Sequence, residues 1–386
     1  MNTLNWHELT AEIFLKEYWQ KKPLIIKAAF SNFQDPISAD ELAGLAMEQE
    51  IQSRIVAKFV NEKSIDGWRV DHGPFESFEQ FGEVGWTLLV QAVNNFSSNC
   101  QLLLKNFTFI PSWRVDDVMV SFSTPHGGVG AHLDQYDVFI IQGMGKRQWQ
   151  VGAPDPSLQQ LLPHPDLKQV STFTPVIDAV TEPGDLLYIP PNHPHNGIAI
   201  ENSLNYSIGF QAPNNQELFS GFADKLLDDD IATQRFNDVD RQITHSSELL
   251  TAKDITLLKT FMQSAFDNET LFNQFIGSYL TQSHHPLELL IPIEPITDVH
   301  FDNIIAEEEN QFIAVSGIKA LIIEKPSLTL FISGEAFELD ENTKEFAKTI
   351  AKGISFTTNQ AKNFINCLKN KQLLLDILNK GFWYVE

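Results

Sequence analysis

The spacing of hydrophobic residues near the start of the chain predicts a helix followed by a strand. Phe14 and Tyr18 stand four residues apart, which places both on one face of a helix over 10–20. Because proline interrupts helical hydrogen bonding, this helix must end before Pro23. The apolar run LIIKAAF, residues 24–30, then predicts a strand.

Two further helical stretches are expected in the N-terminal region. Ser38 and Glu41 have the spacing of a capping box, in which each side chain binds the other residue's backbone N–H. A helix is therefore expected to begin there and to run to about residue 49. Another helical stretch is expected around 86–95.

The pattern changes between residues 115 and 210, where short strand-like runs alternate with turns rich in glycine and proline. The runs are VMVSFS, YDVFIIQ, RQWQVG, GDLLYIP, NGIAI and NYSIGF, and the turns are PHGGVG, GMG, EPGD and PPNHP. Many short strands separated by such turns are typical of a β-sandwich or β-barrel.

Helical period returns over residues 216–285, where Leu218, Phe222 and Leu226 share one face. Residues 295–386 are mixed, with the strand-like runs FIAVSG, ALIIE and LTLFIS before further helical stretches. The chain is therefore predicted to be α+β, with a strand-rich region between helical ones.

Composition restricts the possible partners and the compartment. A formal net charge of −23 repels nucleic acid and anionic membranes and attracts basic proteins. Two distant cysteines, Cys100 and Cys367, argue against a disulfide scaffold and favour a reducing compartment. The sequence shows neither a signal-peptide pattern nor an apolar run of about 20 residues, so the cytoplasm is expected and a membrane is not.

His132-Leu133-Asp134 is the first candidate for chemistry in the strand-rich region. If these residues lie in a strand, the side chains of His132 and Asp134 point to the same face. A histidine from a distant strand would complete a facial set of two histidines and one carboxylate, which binds iron and leaves positions open. The turn PPNHPHNG offers His193 and His195, and strand alternation does not decide between two residues that are two positions apart.

Arg147 is the second candidate, because it shares one face of its predicted strand with Trp149 and Val151. That face is apolar and is expected to point inward, and a buried arginine is costly unless it is paired. A bound dicarboxylate would pair with the guanidinium. An acidic residue elsewhere in this acidic chain is the alternative partner.

These motifs together resemble the JmjC family of iron(II)- and 2-oxoglutarate-dependent oxygenases. The segments HLDQYDVFIIQGMGKRQWQVG, YIPPNHPHNG and NSLNYSIGFQAPN are similar to those of the bacterial ribosomal oxygenases, which hydroxylate an arginine of large-subunit ribosomal protein sixteen. The resemblance is strongest over the strand-rich region. It extends to YWQKKPLII near the N-terminus and, more loosely, to the C-terminal half.

The resemblance implies an α+β chain in three parts. A double-stranded β-helix (jelly-roll or cupin) core of the JmjC type, with N-terminal helices, would span 1–212. A helical dimerisation segment would span 213–290 and a winged-helix-like domain 291–386, so a homodimer is expected. Residues 316–386 contain nine Lys and Arg against eight Asp and Glu, so direct DNA binding is not expected.

Carried over residue by residue, the resemblance makes His132, Asp134 and His195 the iron(II) ligands, with His195 preferred over His193. Arg147 corresponds to the basic residue that holds the far carboxylate of 2-oxoglutarate. The remaining candidates are Ser121, Ser123 and Asn205 for the co-substrate pocket and Tyr136 for contact with the substrate.

The implied activity is hydroxylation of an arginine side chain, at carbon three, in a basic ribosomal protein. Iron(II) is the metal, 2-oxoglutarate and O2 are co-substrates, and succinate and CO2 are co-products. The alternatives are a related oxygenase that acts on histidine, a non-catalytic cupin-like binding protein and a DNA-binding regulator. The intact site residues disfavour the binding protein, and the near-neutral C-terminal domain disfavours the regulator.

Overall fold

The computed structural model describes residues 2–58, 67–243 and 245–386, which form two compact units. The first unit comprises Met1–Ala212, His284–Glu288 and Val315–Gly317, and the second comprises Pro213–Ser283, Leu289–Ala314 and Ile318–Glu386. The division into three parts expected from the sequence stays a prediction.

The first unit contains short helices and many antiparallel strands. Its helices are α1 (Ala11–Glu17), α2 (Ala39–Leu45) and α3 (Ser98–Gln101). Its strands are β1 (Leu24–Ile26), β2 (Ser53–Lys58), β3 (Trp68–His72), β4 (Trp86–Val90), β5 (Val115–Ser123), β6 (Asp137–Gln142), β7 (Arg147–Gly152), β8 (Gln160–His164), β9 (Leu167–Val170), β10 (Pro175–Thr181), β11 (Leu186–Ile189), β12 (His195–Ala199) and β13 (Ser203–Phe210).

Two sheets face each other across the interior of this unit. The large sheet has the order β1-β11-β6-β13-β5-β4-β2-β3, and the small sheet has the order β10-β7-β12. Val138 and Leu187 of the large sheet and Trp149 and Val151 of the small sheet belong to one buried cluster. The arrangement is the double-stranded β-helix expected from the sequence, with β8 and β9 as an added hairpin.

Strand alternation separates an apolar outer face of the large sheet from a more polar inner face. On β13, Leu204, Tyr206 and Ile208 belong to the main core, which also contains Phe14 of α1 and Leu42 of α2. The residues between them, including Asn205, therefore point toward the small sheet. Hydrophobic burial against the N-terminal helices thus fixes which side chains line the interior.

Three expectations about local structure in the N-terminal region need correction. The helix expected around 86–95 is instead strand β4 followed by a short 3-10 turn at Val93–Asn95. All five residues of β4 are buried between β2 and β5, and a strand buried on both faces shows no alternation to distinguish it from a helix. The strand over 24–30 ends at Ile26, and the helix after Ser38 ends at Leu45. The capping box that begins that helix is confirmed.

The second unit is helical at first and mixed afterwards, as the sequence pattern predicts. Its elements are α4 (Asn215–Asp228), α5 (Ala252–Phe266), α6 (Glu269–Thr281), α7 (Asp298–Ala306), β14 (Gln311–Ala314), β15 (Ala320–Ile323), β16 (Thr329–Ile332), β17 (Glu335–Glu338), α8 (Lys344–Ala351), β18 (Phe356–Thr357), α9 (Thr358–Phe364), α10 (Leu368–Asn379) and β19 (Trp383–Val385). The strands form two small sheets, β18-β14-β19 and β15-β16-β17. Among the helices of the described residues, none has the length and apolar character needed to cross a membrane.

Candidate active site

Two imidazoles and one carboxylate meet at one end of the interior of the first unit. The ligand atoms of His132, Asp134 and His195 all lie within 4.8 Å of one another. Asp134 Oδ2 is 3.5 Å from His195 Nε2 and 4.0 Å from His132 Nε2. The structure thus brings together the three residues expected to bind iron. His193 is buried but does not belong to this group.

The backbone explains why residues so distant in sequence converge. His132 N donates to His195 O and His195 N donates to His132 O, both at 3.0 Å, so the two residues form a single bridge. The strand expected at His132 is not formed, because the preceding Gly130 adopts a left-handed φ of +82° and the chain continues as a loop. The side chain of His132 is therefore directed toward Asp134 and His195 by backbone pairing with β12 and not by strand alternation.

Backbone carbonyls fix the orientation of both imidazoles. His132 Nδ1 lies 3.0 Å from Gly130 O, and His195 Nδ1 lies 2.9 Å from His193 O. Because a carbonyl oxygen only accepts hydrogen bonds, the hydrogen of each neutral ring is on Nδ1. Nε2 of each ring then presents its lone pair to the cluster, as metal-binding histidines commonly do.

The electrostatics favour the protonation states that a metal requires. Burial, followed by the neighbouring His195, lowers the pKa of His132 to about 4. Burial also raises the pKa of Asp134, but electrostatic interactions with His195 and His132 outweigh it and lower that pKa to about 2. At neutral pH His132 is therefore a neutral ligand and Asp134 an anionic one.

Arg147 lies on the inner face of β7, four positions from Val151, the β7 partner of His195. It is 5% exposed, and burial lowers its pKa to about 10. Its guanidinium donates to the Ser123 hydroxyl, which also lies 2.8 Å from the hydroxyl of Thr87. Among the described residues, no carboxylate pairs with Arg147, and its Nε has no partner. A buried guanidinium that lacks a carboxylate partner in the protein is suited to bind the carboxylate of a ligand.

The other residues expected in the co-substrate pocket lie on β5 and β13. Ser121 and Asn205 are buried partners in the register of these strands. Asn205 Nδ2 donates to Gln142 Oε1 at 2.9 Å, and Gln142 Oε1 also accepts from the Thr181 hydroxyl at 2.8 Å. Ser203 Oγ, which can donate, and Asn205 Oδ1, which can only accept, have no partner among the described residues.

Tyr136 lies near the metal-site cluster in the loop before β6, and its side chain is 44% exposed. The charge of Asp134, burial, and the charges of Asp117 and Asp116 together raise the pKa of its hydroxyl well above the usual range. Asp116 and Asp117 were not anticipated from the sequence. They lie at the start of β5, close to Gly209 of β13 and to the Tyr136 ring, and this proximity depends on strand pairing that the sequence does not show.

Asp116 and Asp117 also contact a segment that is remote in sequence. His284 Nδ1 is 3.4 Å from Asp116 Oδ1, and His285 Nε2 is 3.8 Å from Asp117 Oδ2. Asp117 in addition accepts a hydrogen bond of 2.8 Å from Ala92 N. The two carboxylates thus form an acidic pair beside the exposed Tyr136 ring, in which Asp116 is partly exposed and Asp117 is buried.

The donor set and its surroundings fit iron(II) and a dicarboxylate. Two histidines and one carboxylate form a facial set that leaves positions for further ligands. The buried guanidinium and the unpartnered polar atoms lie further along the same interior. A double-stranded β-helix with these two groups is typical of a JmjC-type 2-oxoglutarate-dependent dioxygenase. In agreement, residues 102–218 match the model of the JmjC domain, and residues 262–384 match the ROXA-like winged helix.

The chain belongs to the ribosomal oxygenases of this class. It is 41% identical to the ribosomal protein uL16 3-hydroxylase of Escherichia coli, over 100% of this chain and 98% of that protein. It is 31% identical to a probable ribosomal oxygenase of Haemophilus influenzae, over 96% and 93% of the two chains. The solved structure of the Escherichia coli ribosomal oxygenase YcfD with cobalt and 2-oxoglutarate superposes with a TM-score of 0.88 at 38% identity, covering 100% of both chains.

Proposed function

We propose that this dioxygenase hydroxylates an arginine side chain of ribosomal protein uL16, with succinate and CO2 as co-products. The observation that carries the proposal is the His132–Asp134–His195 cluster with the unpaired, buried Arg147 on the same interior. The Escherichia coli relative is named as a uL16 3-hydroxylase, and its solved structure holds cobalt and 2-oxoglutarate.

In this proposal His132, Asp134 and His195 hold iron(II), and Arg147 binds the far carboxylate of 2-oxoglutarate. The bound metal, with 2-oxoglutarate and oxygen, supplies the oxidation of a C–H bond. The residues contribute position and environment. The Nδ1–carbonyl contacts keep the Nε2 atoms of His132 and His195 directed at the metal position. The buried residues around Arg147 exclude water that would compete for its guanidinium.

Ser123 and Asn205 complete the proposed co-substrate pocket. The Ser123 hydroxyl already accepts from Arg147 and would hold the guanidinium in place. Gln142 Nε2 donates to the Leu204 carbonyl, so its Oε1 faces Asn205 and receives Asn205 Nδ2. Ser121, opposite Asn205 on β5, is proposed as a further wall of the pocket.

The acidic pair Asp116 and Asp117, beside the exposed Tyr136, supports a basic substrate side chain. Asp116, Asp117 and Tyr136 would face a guanidinium, whose planar donors match carboxylates better than a neutral imidazole with a single N–H. The net charge of −23 supports encounter with a basic ribosomal protein. A histidine substrate is the alternative that the assay must separate.

The test is a mass-spectrometric assay with iron(II), 2-oxoglutarate, air and purified uL16. We expect uL16 to gain one oxygen atom on an arginine. His132→Ala should abolish the gain, and Arg147→Ala should lower kcat/KM for 2-oxoglutarate roughly tenfold to a hundredfold, because a charge-assisted pair is lost.

His193→Ala is the matched control, since His193 is equally buried but outside the cluster. It should retain the activity that His195→Ala loses. The reverse result would overturn the assignment of the third ligand, and an oxygen found on histidine would overturn the proposed substrate residue.

The surface of the second unit supports a homodimer. Phe219, Leu227, Ile255 and Met262 of α4 and α5 are between 54% and 78% exposed, which is unusual for large apolar side chains on neighbouring helices. The interface is proposed to lie here, within the helical part at 213–290.

Direct DNA binding is not part of the proposed function. Lysines of the winged-helix-like part at 291–386 are largely paired with carboxylates: Lys344 with Glu324, Lys348 with Glu345, Lys369 with Asp340 and Lys380 with Glu335. Paired lysines offer little net attraction to phosphates. A ribosomal protein substrate also supports the cytoplasm as the site of action.

A further inference from the structure

Trp149 lies on the inner face of β7, between the proposed metal ligands and Arg147. Arg147 precedes it by two residues on the same face, and the guanidinium carbon is 5.7 Å from the centre of the indole ring. The ring of His195, which pairs with Val151, is 6.3 Å from the indole, centroid to centroid. The indole therefore borders the interior between the proposed metal ligands and the proposed carboxylate anchor.

The indole N–H of Trp149 is buried without an acceptor among the described residues. The side chain is only 6% exposed, so this donor has lost water as well. Trp86, which is similarly buried, donates its own indole N–H to Gly82 O at 2.8 Å. Because a buried donor without a partner is costly and rare in folded proteins, the unpaired donor of Trp149 points to a ligand.

The orientation of the indole is fixed by the strand opposite. Gly197 pairs with Trp149 in the register of β12 and β7, and a Cβ at position 197 would lie 2.7 Å from the indole ring. The ring thus fills the space that any other residue at 197 would take. A ring held in this way keeps its N–H direction before a ligand arrives.

Three more unpartnered polar atoms lie at inner positions of the same interior, namely Arg147 Nε, Ser203 Oγ and Asn205 Oδ1. Two of the four groups, the guanidinium and the indole, are donors only. At neutral pH a keto dicarboxylate carries hydrogen-bond acceptors only. It is therefore the class of ligand that could accept hydrogen bonds from both Arg147 and Trp149, which lie on the same face of β7.

We propose that the Nε1–H of Trp149 donates a hydrogen bond to an oxygen of bound 2-oxoglutarate, an inference that rests on the function proposed above. Arg147 binds the far carboxylate, and Trp149 is a second co-substrate-binding residue on the same strand. The pairing satisfies a donor that the folded chain leaves unpaired.

Nuclear magnetic resonance on the intact protein tests the inference directly. The seven tryptophans are isotope-labelled at the indole nitrogen, the protein is loaded with zinc(II), and 2-oxoglutarate is added. The resonance missing from Trp149→Phe assigns the peak. We expect the Trp149 N–H proton resonance to move downfield when 2-oxoglutarate is added, because the N–H forms a new hydrogen bond to a carboxylate or keto oxygen. The Trp86 N–H resonance should not shift.

Glutarate, which has both carboxylates and no keto oxygen, identifies the acceptor. A downfield shift with glutarate as well indicates a carboxylate oxygen, and a shift with 2-oxoglutarate alone indicates the keto oxygen; either supports the proposal. A Trp149 peak that does not move when calorimetry shows 2-oxoglutarate bound would overturn it.

Calorimetric affinity provides the second test, with Trp86→Phe as the matched control. Trp149→Phe should bind 2-oxoglutarate about tenfold or more weakly, since a hydrogen bond to a charged group is lost. Trp86→Phe, which loses a satisfied bond away from the site, should stay within about twofold of the parent. Equal binding by Trp149→Phe and parent overturns this inference alone, whereas a parent that does not bind 2-oxoglutarate overturns the proposed function with it.

Discussion

His132 shows how a single residue prepared for a metal affects the stability of the metal-free protein. The pKa of His132 is lowered to about 4, whereas an unfolded histidine titrates near 6.5. Between these values the unfolded chain binds a proton that the folded chain does not. The free energy of unfolding must therefore fall as pH is lowered from about 6.5 to about 4.

We expect this loss in the metal-free protein to be about 1–2 kcal/mol, because the side chain is still one quarter exposed. Urea unfolding at several pH values measures it. His132→Gln, which cannot titrate, should show a smaller loss over the same range. An identical pH dependence in parent and variant would contradict the assignment of this proton to His132.

Gly197 allows a second prediction at the residue scale. A methyl group at position 197 meets the Trp149 ring, so Gly197→Ala should displace the indole and cost about 1–3 kcal/mol in unfolding free energy. It should also weaken 2-oxoglutarate binding. Thermal unfolding and calorimetry measure the two effects. Gly44→Ala in α2, where no atom lies within 4 Å of the added methyl, is the control and should be neutral or stabilising.

The site residues differ in how far the sequence could predict them. His132, Asp134 and Arg147 stand out because their residue types and spacing are informative within one short segment. Gln142 and Trp149 do not, because their roles depend on partners on other strands: Asn205 for Gln142 and Gly197 for Trp149. Pairing between strands that are distant in sequence is what a single sequence does not specify.

The same limit applies to whole elements. Strands flanked by glycine and proline turns, such as β6 and β13, were predictable because their ends are marked and their lengths are short. Strand β4 was predicted as a helix, since complete burial removes its alternation. Helix α4 of the second unit kept a clear 3.6-residue period because it buries only one face, which contains Phe222.

Helix α5 carries the prediction about assembly. Ile255, Leu258 and Met262 lie on one face of α5 and are 54%, 39% and 69% exposed. If this face forms the homodimer interface, Ile255→Glu combined with Met262→Glu should weaken dimerisation at least about a hundredfold, since two charges would be buried without partners. Thr260→Glu, on the opposite side of α5, is the control. Light scattering after size-exclusion chromatography gives the mass, and a parent that is already monomeric would contradict the interface.

Charge is the property of the whole molecule that bears on substrate encounter. The net charge of −23 is spread over both units, while the uL16 substrate proposed here is basic. Attraction between them is long-range and is screened by salt, with a Debye length of about 10 Å at 0.1 M ionic strength. 2-Oxoglutarate, by contrast, would pair with Arg147 inside the buried interior, where screening is weak.

Salt should therefore separate the two substrates kinetically. Between low and high ionic strength we expect KM for uL16 to rise about threefold to tenfold, because the encounter loses its electrostatic attraction. KM for 2-oxoglutarate should change by less than about twofold, because its anchor is desolvated. Initial rates of uL16 hydroxylation across a salt series measure both constants. If KM for 2-oxoglutarate rose with salt as steeply as KM for uL16, Arg147 would have to be reached through solvent, and the buried position of the co-substrate anchor would be wrong.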